Sequence, residues 1–125
     1  MLEGHILIAE DEENILRVLS LLLRRRGYTV STARDGSQAL EVIVDARKSD
    51  RPVDLLLTDV QMEGMTGFEL VVELDKMELL LPVLFMTGFA REQAAVKTEG
   101  RFVRFIEKPF KAERLIELVS TALKH

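Results

Sequence analysis

The sequence contains no cysteine and no tryptophan, and it has three prolines among 125 residues. A chain without cysteine has no disulfide, no thiolate metal site and no cysteine nucleophile, and this composition is typical of a reducing compartment. No apolar run approaches the roughly 18 to 20 residues of a membrane span, and the acidic start MLEGHILIAEDEE lacks the pattern of a signal peptide. We therefore expect a cytoplasmic chain with no membrane partner.

The sequence also lacks an excess of positive charge. The chain has 17 lysines and arginines against 21 aspartates and glutamates, a net charge of -4 and a pI near 5.3. Domains that bind nucleic acid directly usually carry an excess of basic residues, so we expect no direct nucleic-acid partner. The run of three arginines at residues 24–26 precedes Gly27. Cations in the last turn of a helix that stops at glycine are ordinary helix C-terminal chemistry.

Two apolar patterns alternate along the chain. Short β-type runs occupy residues 5–9, 28–32, 53–59, 82–88 and 102–106. Helical spacing of apolar residues occupies residues 12–26, 36–49, 68–78, 90–99 and 111–124. Strands that alternate with helices predict βαβ crossovers and an α/β domain in which helices cover both faces of a parallel sheet. With no linker or internal repeat, we expect one domain over residues 1–125.

Polar residues follow the predicted strands at their carboxyl ends. Glu10 and Asp11 follow the first strand, Asp59 ends the third, Thr87 ends the fourth, and Lys108 follows the fifth. Ligands of open α/β sheets bind outside this edge, so we expect these side chains to lie together. Three carboxylates would repel one another without a cation. A few oxygen ligands that leave room for water and a phosphate favour Mg²⁺ over a zinc or calcium site.

Asp59 ends the strand in the stretch LLLTDVQM. A carboxylate beside a divalent ion and an ammonium group can attack phosphorus and form an aspartyl phosphate. Lys108 would then stabilise charge on the equatorial phosphoryl oxygens, and the Thr87 hydroxyl would donate to one of them. We interpret Asp59 as a phosphoacceptor.

Four segments, ILIAEDEE, LLLTDVQM, FMTGFA and FIEKPF, in this order and at these separations, resemble the receiver domain of two-component response regulators. The resemblance runs from Ile6 through the last predicted helix. It implies a doubly wound (βα)5 flavodoxin-like fold, whose five-stranded parallel sheet has the order 2-1-3-4-5 with helices on both faces.

The resemblance assigns roles at the metal site. Asp59 matches the phosphoacceptor, and Glu10 and Asp11 match an acidic pair in which Asp11 is the direct Mg²⁺ ligand and Glu10 acts through water. Asp59 and the backbone carbonyl of Gln61 would complete the protein ligands, and Mn²⁺ is a substitute that such a site could accept.

The resemblance also implies a switch. Thr87 matches the switch hydroxyl, Lys108 the phosphate-binding lysine, and Phe105 the aromatic residue whose rotamer reports activation. Pro109 supports this loop, with a peptide bond that is often cis in the family. Phosphorylation would draw Thr87 toward the phosphate, let Phe105 turn inward, and change the surface of the fourth predicted helix, fifth strand and fifth helix.

Several positions depart from the family pattern. Glu63, four residues after Asp59, stands where the family commonly has proline, so we expect a looser, more acidic loop and an altered metal affinity. Arg104 stands where the winged-helix DNA-binding subfamily commonly has an aspartate used in dimer contacts, which puts that dimer mode in question. Gln61 and Phe89 occupy two positions that tune autodephosphorylation, and the bulk of Phe89 predicts slow loss of phosphate.

The implied function is a phosphoacceptor module. It would receive a phosphoryl group from a histidine kinase or a histidine phosphotransfer protein, act on an unidentified output domain or downstream protein, and in some states form a phosphorylation-dependent dimer. The alternative is a pseudo-receiver that acts without phosphorylation. We do not expect a turnover enzyme, because dehalogenase-like phosphatases carry a second aspartate where this chain has Gln61.

Simpler structural roles stay open for the same residues. Asp59 could cap a turn after its strand, and Glu10 and Asp11 could favour the dipole at the start of a helix. Thr87 could be an ordinary strand residue, and Phe105 could be core in every state.

Overall fold

The computed structural model describes residues 4–88 and 100–124, and a five-stranded parallel sheet runs through them. The strands are β1 (His5–Ala9), β2 (Thr29–Ala33), β3 (Leu55–Asp59), β4 (Val83–Thr87) and β5 (Val103–Glu107). Their order in the sheet is β2-β1-β3-β4-β5, with every neighbouring pair parallel. This confirms the predicted α/β architecture and strand order.

Four helices lie within the described residues: α1 (Glu13–Arg25), α2 (Gly36–Arg47), α3 (Gly67–Lys76) and α4 (Ala112–Leu123). The helix predicted at residues 90–99 lies outside the part of the chain that the structure describes. Of the helices described, none has the length and apolar character that crossing a membrane requires. Arg24 and Arg25 stand in the last turn of α1, and Gly27 follows at φ 97°, as expected for a helix C-terminus.

The sheet separates two apolar cores because successive strand residues point to opposite faces. Ile6 and Ile8 of β1 pack with α1 and α4, whereas Leu7 and Ala9 pack with α2 and α3. Every residue of β3 and β4 is buried. Packing on both faces therefore holds the two central strands in place, and this fixes the position of Asp59 at the end of β3.

The structure corrects the boundary between the loop after β3 and the following helix. The apolar spacing predicts this helix from residue 68, but Gly67 is the first residue of α3. Thr66 is the N-cap: its hydroxyl accepts from the Glu69 N–H, and the Glu69 carboxylate accepts from the Thr66 N–H. This capping box satisfies two donors that would otherwise be free and starts the helix early.

Candidate functional site

Three acidic side chains meet at the carboxyl edge of the sheet. Carboxylate oxygens of Glu10, Asp11 and Asp59 all lie within 4.8 Å of one another. Glu10 and Asp59 are buried, at 1% and 7% exposure, whereas Asp11 is exposed to solvent. The ends of β1 and β3, which are neighbours in the sheet, thus bring Asp59 to Glu10 and Asp11, which precede it by 49 and 48 positions.

Lys108 joins this group from the loop after β5. Its Nζ lies 2.6 Å from Asp59 Oδ2 and 3.7 Å from Glu10 Oε1. Partial burial alone would lower the pKa of Lys108, but the hydrogen bond to Asp59 and the charges of the three carboxylates outweigh burial and raise it. The ammonium group is therefore charged at any physiological pH and is held against the predicted phosphoacceptor.

The backbone around Lys108 is anchored to β4. The Lys108 N–H donates to the Thr87 carbonyl oxygen at 2.7 Å, and the peptide bond from Lys108 to Pro109 is cis. Thr87 itself is buried at the end of β4. The backbones of two predicted phosphate-binding residues are thus in direct contact at the edge of the site.

The carboxylate of Glu10 is buried in an electrostatic environment that disfavours its charged form. Neither of its buried carboxylate oxygens has a hydrogen-bond donor of good geometry within the described residues. Burial, and next the negative charge of Asp59, raise the pKa of Glu10 to about 7, against the opposing effect of Lys108. Buried oxygens without donors, next to two further carboxylates, are a donor set that fits a hard divalent cation such as Mg²⁺.

The loop after β3 turns two of its backbone amides toward the carboxylates. The Gln61 N–H donates to Asp59 Oδ1 at 3.1 Å, and the Glu63 N–H donates to Asp11 Oδ2 at 3.2 Å. Gln61, whose carbonyl was predicted as a metal ligand, therefore lies in the loop that borders the acidic group.

Gly67 is a residue of the site that the sequence reasoning missed. A Cβ atom at this position would lie 2.4 Å from the backbone oxygen of Asp59, closer than real side-chain atoms approach. Its own N–H donates to the Val60 carbonyl at 3.0 Å. The start of α3 thus packs directly on the end of β3, and glycine is required by this close approach. A glycine directly after an N-cap threonine was the available signal.

Phe105 belongs to a cluster of three aromatic rings. It is half-buried and stacks on Phe85, its partner in the sheet register, with ring centroids 5.1 Å apart and an interplanar angle of 25°. Phe68 from the first turn of α3 meets both rings edge-on, at 5.0 Å from Phe85 and 6.5 Å from Phe105. Phe89, predicted to tune phosphate loss, lies outside the described residues.

Comparison with known proteins supports the resemblance drawn from the motifs. A family model described as the response regulator receiver domain matches residues 6–120. The uncharacterized transcriptional regulatory protein YkoG of Bacillus subtilis is 35% identical over 127 aligned positions, which cover 99% of this chain and 53% of YkoG. The chain therefore spans about half the length of this relative, and about a quarter of GlrR of Escherichia coli, which is 31% identical.

Solved structures show the same fold. The receiver domain of the hybrid histidine kinase CckA has a TM-score of 0.78 and 33% identity, over 96% of this chain and 99% of that one. The response regulator TrrA of Thermotoga maritima, in complex with Mg(2+)-BeF, has a TM-score of 0.81 and 25% identity, over 95% of this chain and 98% of that one.

Proposed function

The chain belongs to the response regulator receiver domain family, and we propose that Asp59 is its phosphoacceptor, working with Mg²⁺. The observation that carries this proposal is the contact of Lys108 Nζ with Asp59 Oδ2 at 2.6 Å, beside the carboxylates of Glu10 and Asp11. A pseudo-receiver has no need for a buried nucleophile, a bound ammonium group and surplus acidic oxygens in one place.

The proposed reaction is one phosphoryl transfer. A carboxylate oxygen of Asp59 forms a bond to phosphorus, the bond from phosphorus to the donor's leaving atom breaks, and the leaving group departs with that electron pair. The Lys108 ammonium group lies beside Asp59, where it can stabilise the negative charge that develops on the phosphoryl oxygens. The neighbouring end of β4 brings Thr87, whose hydroxyl is the proposed donor to one of those oxygens.

Glu10, Asp11, Asp59 and the carbonyl of Gln61 are the residues that would hold Mg²⁺, or Mn²⁺ in its place. When bound, the cation neutralises the acidic group and the charge of the incoming phosphoryl group. The buried oxygens of Glu10, which have no donor of good geometry in the described part of the chain, support this assignment.

We propose a phosphohistidine as the donor, on a histidine kinase or a phosphotransfer protein in the cytoplasm. Relatives of this family include a receiver of a hybrid histidine kinase and transcriptional regulators longer than this chain. The output is then a partner or attached domain that senses a changed surface around Thr87 and Phe105. The aromatic stack of Phe105 supports a role in that change, since its ring is only half-buried.

The chain is not proposed to turn over a substrate. Position 61, two residues after the nucleophile, holds an amide that cannot act as the general acid of an aspartyl phosphatase. We propose that the aspartyl phosphate is lost slowly, and loss within seconds in a mass-spectrometric time course would contradict this.

Intact mass after incubation with acetyl phosphate and Mg²⁺ tests the proposed function. The parent and Asp50→Asn, a change at an exposed loop aspartate, should each gain one phosphoryl group, whereas Asp59→Asn should gain none. No adduct should form when excess EDTA is present from the start of the incubation. An adduct on Asp59→Asn, or none on a parent that is folded and supplied with Mg²⁺, would reject the proposal and favour a pseudo-receiver.

A further inference from the structure

We propose that the backbone N–H of Glu63 is a positioning donor of the metal site, which holds Asp11 in the orientation that Mg²⁺ requires. This inference rests on the proposed function, in which Asp11 is a direct Mg²⁺ ligand. It assigns a role to a position at which this chain departs from the pattern of the family it resembles.

The contact itself joins distant parts of the chain. The Glu63 N–H donates to Asp11 Oδ2 at 3.2 Å, across a separation of 52 residues. Asp11 is exposed and follows β1, so its side chain would otherwise keep the rotamer freedom of a surface aspartate. One hydrogen bond to one carboxylate oxygen removes part of that freedom and leaves the second oxygen for a ligand.

The Glu63 bond has a counterpart two residues earlier. Gln61 N–H donates to Asp59 Oδ1 at 3.1 Å, so one loop presents two amides to two carboxylates that come from different strands. Amide dipoles that point at carboxylates offset part of their mutual repulsion before any cation arrives. The acidic group is thereby held together in the metal-free protein, which is the pre-organisation that a strongly hydrated cation such as Mg²⁺ needs.

Proline, common at this position in the family, has no N–H and cannot form this bond. Glutamate therefore differs from proline in two separable ways, because it adds a backbone donor and it adds a carboxylate. Residue 63 is exposed, so its side chain can be replaced with little effect on packing. Glu63→Ala removes the charge and keeps the N–H, whereas Glu63→Pro removes both.

The first measurement is made without metal. Amide hydrogen exchange followed by NMR should show slowed exchange for the Glu63 N–H in the parent in EDTA, and faster exchange in Asp11→Ala, which lacks the acceptor. Exchange of this amide at the same rate in the two proteins would overturn the proposal. This readout does not depend on phosphorylation or on the folding of a proline variant.

The second measurement is Mg²⁺ affinity, from NMR shifts during titration with MgCl₂. Loss of an outer hydrogen bond to a metal ligand typically costs about 10- to 100-fold in affinity, and the exposure of Asp11 favours the lower end. We expect Glu63→Pro to bind Mg²⁺ about 10-fold more weakly than Glu63→Ala, with both variants folded by circular dichroism.

The outcomes separate this inference from the proposed function. Equal Mg²⁺ affinity of the two variants, with the parent still gaining a phosphoryl group on Asp59, would overturn the role of the Glu63 N–H alone. A parent that binds no Mg²⁺ and gains no phosphoryl group would overturn both. Should Glu63→Pro not fold, the amide exchange of the parent and Asp11→Ala decides.

Discussion

Both ends of the sheet contain buried charged side chains, but the partners of these side chains differ between the two ends. At the amino ends of β4 and β5, the Arg101 side chain is 1% exposed. Its Nη1 donates to the Leu81 carbonyl at 2.6 Å, and its Nη2 donates to the Leu79 carbonyl at 2.7 Å and to the Asp75 carboxylate. One cation is therefore matched by one anion and two neutral acceptors, and of its three nitrogens only Nε lacks an acceptor among the described residues.

At the carboxyl ends the balance is reversed. Three carboxylates share one ammonium group, that of Lys108, and buried Glu10 is left without a hydrogen-bond donor of good geometry among the described residues. A compensated buried ion holds a fold together, whereas surplus charge of one sign costs stability and creates affinity for a ligand of the opposite sign. The difference supports a structural role for the amino end and the proposed metal and phosphoryl chemistry at the carboxyl end.

Breaking the structural cluster should give the largest loss of stability. Arg101→Met keeps an unbranched side chain about as long as the aliphatic stem of arginine. It removes the guanidinium group and so leaves the Leu79 and Leu81 carbonyls without their donor. The Asp75 side chain is 43% exposed and can be solvated, so most of the loss comes from the two carbonyls. A buried acceptor left without a donor costs about 1–3 kcal/mol, and we expect a total loss near 4 kcal/mol in urea unfolding. Arg104→Met, at an exposed arginine of β5, should cost less than about 1 kcal/mol.

Two outcomes would contradict the assignment of a structural role to the amino end and of the proposed chemistry to the carboxyl end. One is an equal loss of stability in the variants of Arg101 and Arg104. The other is an inability of the folded fraction of Arg101→Met to gain a phosphoryl group on Asp59, which would show that the amino end also serves the chemistry.

A steric change at the carboxyl end should come next. In Gly67→Ala the new methyl group meets the Asp59 backbone oxygen, so either α3 or the end of β3 must shift. Overpacking of this kind costs about 1–3 kcal/mol, and backbone contact places this variant near 3 kcal/mol, with slower phosphorylation by acetyl phosphate. Gly88→Ala is the control, because a Cβ there meets no atom of residues 4–88 and 100–124 within 4 Å. Unchanged stability of Gly67→Ala would refute the close approach.

Relieving the surplus charge should stabilise the metal-free protein. Burial, and then Asp59, raise the pKa of Glu10 from 4.5 to about 7, so between these pH values the folded state keeps a proton that the unfolded state has lost. Unfolding free energy therefore falls as pH rises through this window and is level above it. Glu10→Gln should lack this fall and exceed the parent by on the order of 2 kcal/mol at pH 8.

Urea unfolding in EDTA from pH 4 to pH 8 measures this effect. Glu12→Gln, at an exposed neighbouring glutamate, should follow the parent curve. Excess MgCl₂ should stabilise the parent more than Glu10→Gln, because the variant has lost a ligand charge. A parent and Glu10→Gln with parallel pH curves would contradict the raised pKa.

An exposed ion pair should matter least. Arg114 Nη1 lies 3.2 Å from Glu117 Oε1 on α4, with both side chains more than half exposed. Such pairs contribute little in water, so Arg114→Gln should change the unfolding free energy by less than about 0.5 kcal/mol. A loss comparable to that of Arg101→Met would mean that burial is not what separates the two ends of the sheet.

Local pattern was sufficient for much of this molecule. Alternating apolar periods predicted the five strands and the four described helices to within a few residues, since each period reflects which side chains a strand or helix turns inward. The carboxyl-edge rule then predicted where Glu10, Asp59 and Lys108 would meet. Resemblance of the motifs supplied the strand order 2-1-3-4-5, which periodicity does not contain.

Other features depend on contacts that no local pattern encodes. The hydrogen bond from Glu63 to Asp11, the packing of Gly67 on Asp59 and the three-ring contact of Phe105 each join different elements. The compensated burial of Arg101 is of the same kind. A shift of a few tenths of an ångström between two elements is enough to make or break such a contact. The crossovers between strands set the positions of those elements.

The sequence by itself determined the alternation of strands and helices, the side of the sheet on which chemistry is possible, and the residue types available there. Side-chain period and strand polarity are local properties, and they carry that information. Only the tertiary structure decided that Glu10 is buried without a donor among the described residues, while Arg101 is buried and bonded to two carbonyls. Burial and partnership are properties of the packed chain, because each depends on atoms that approach from distant segments.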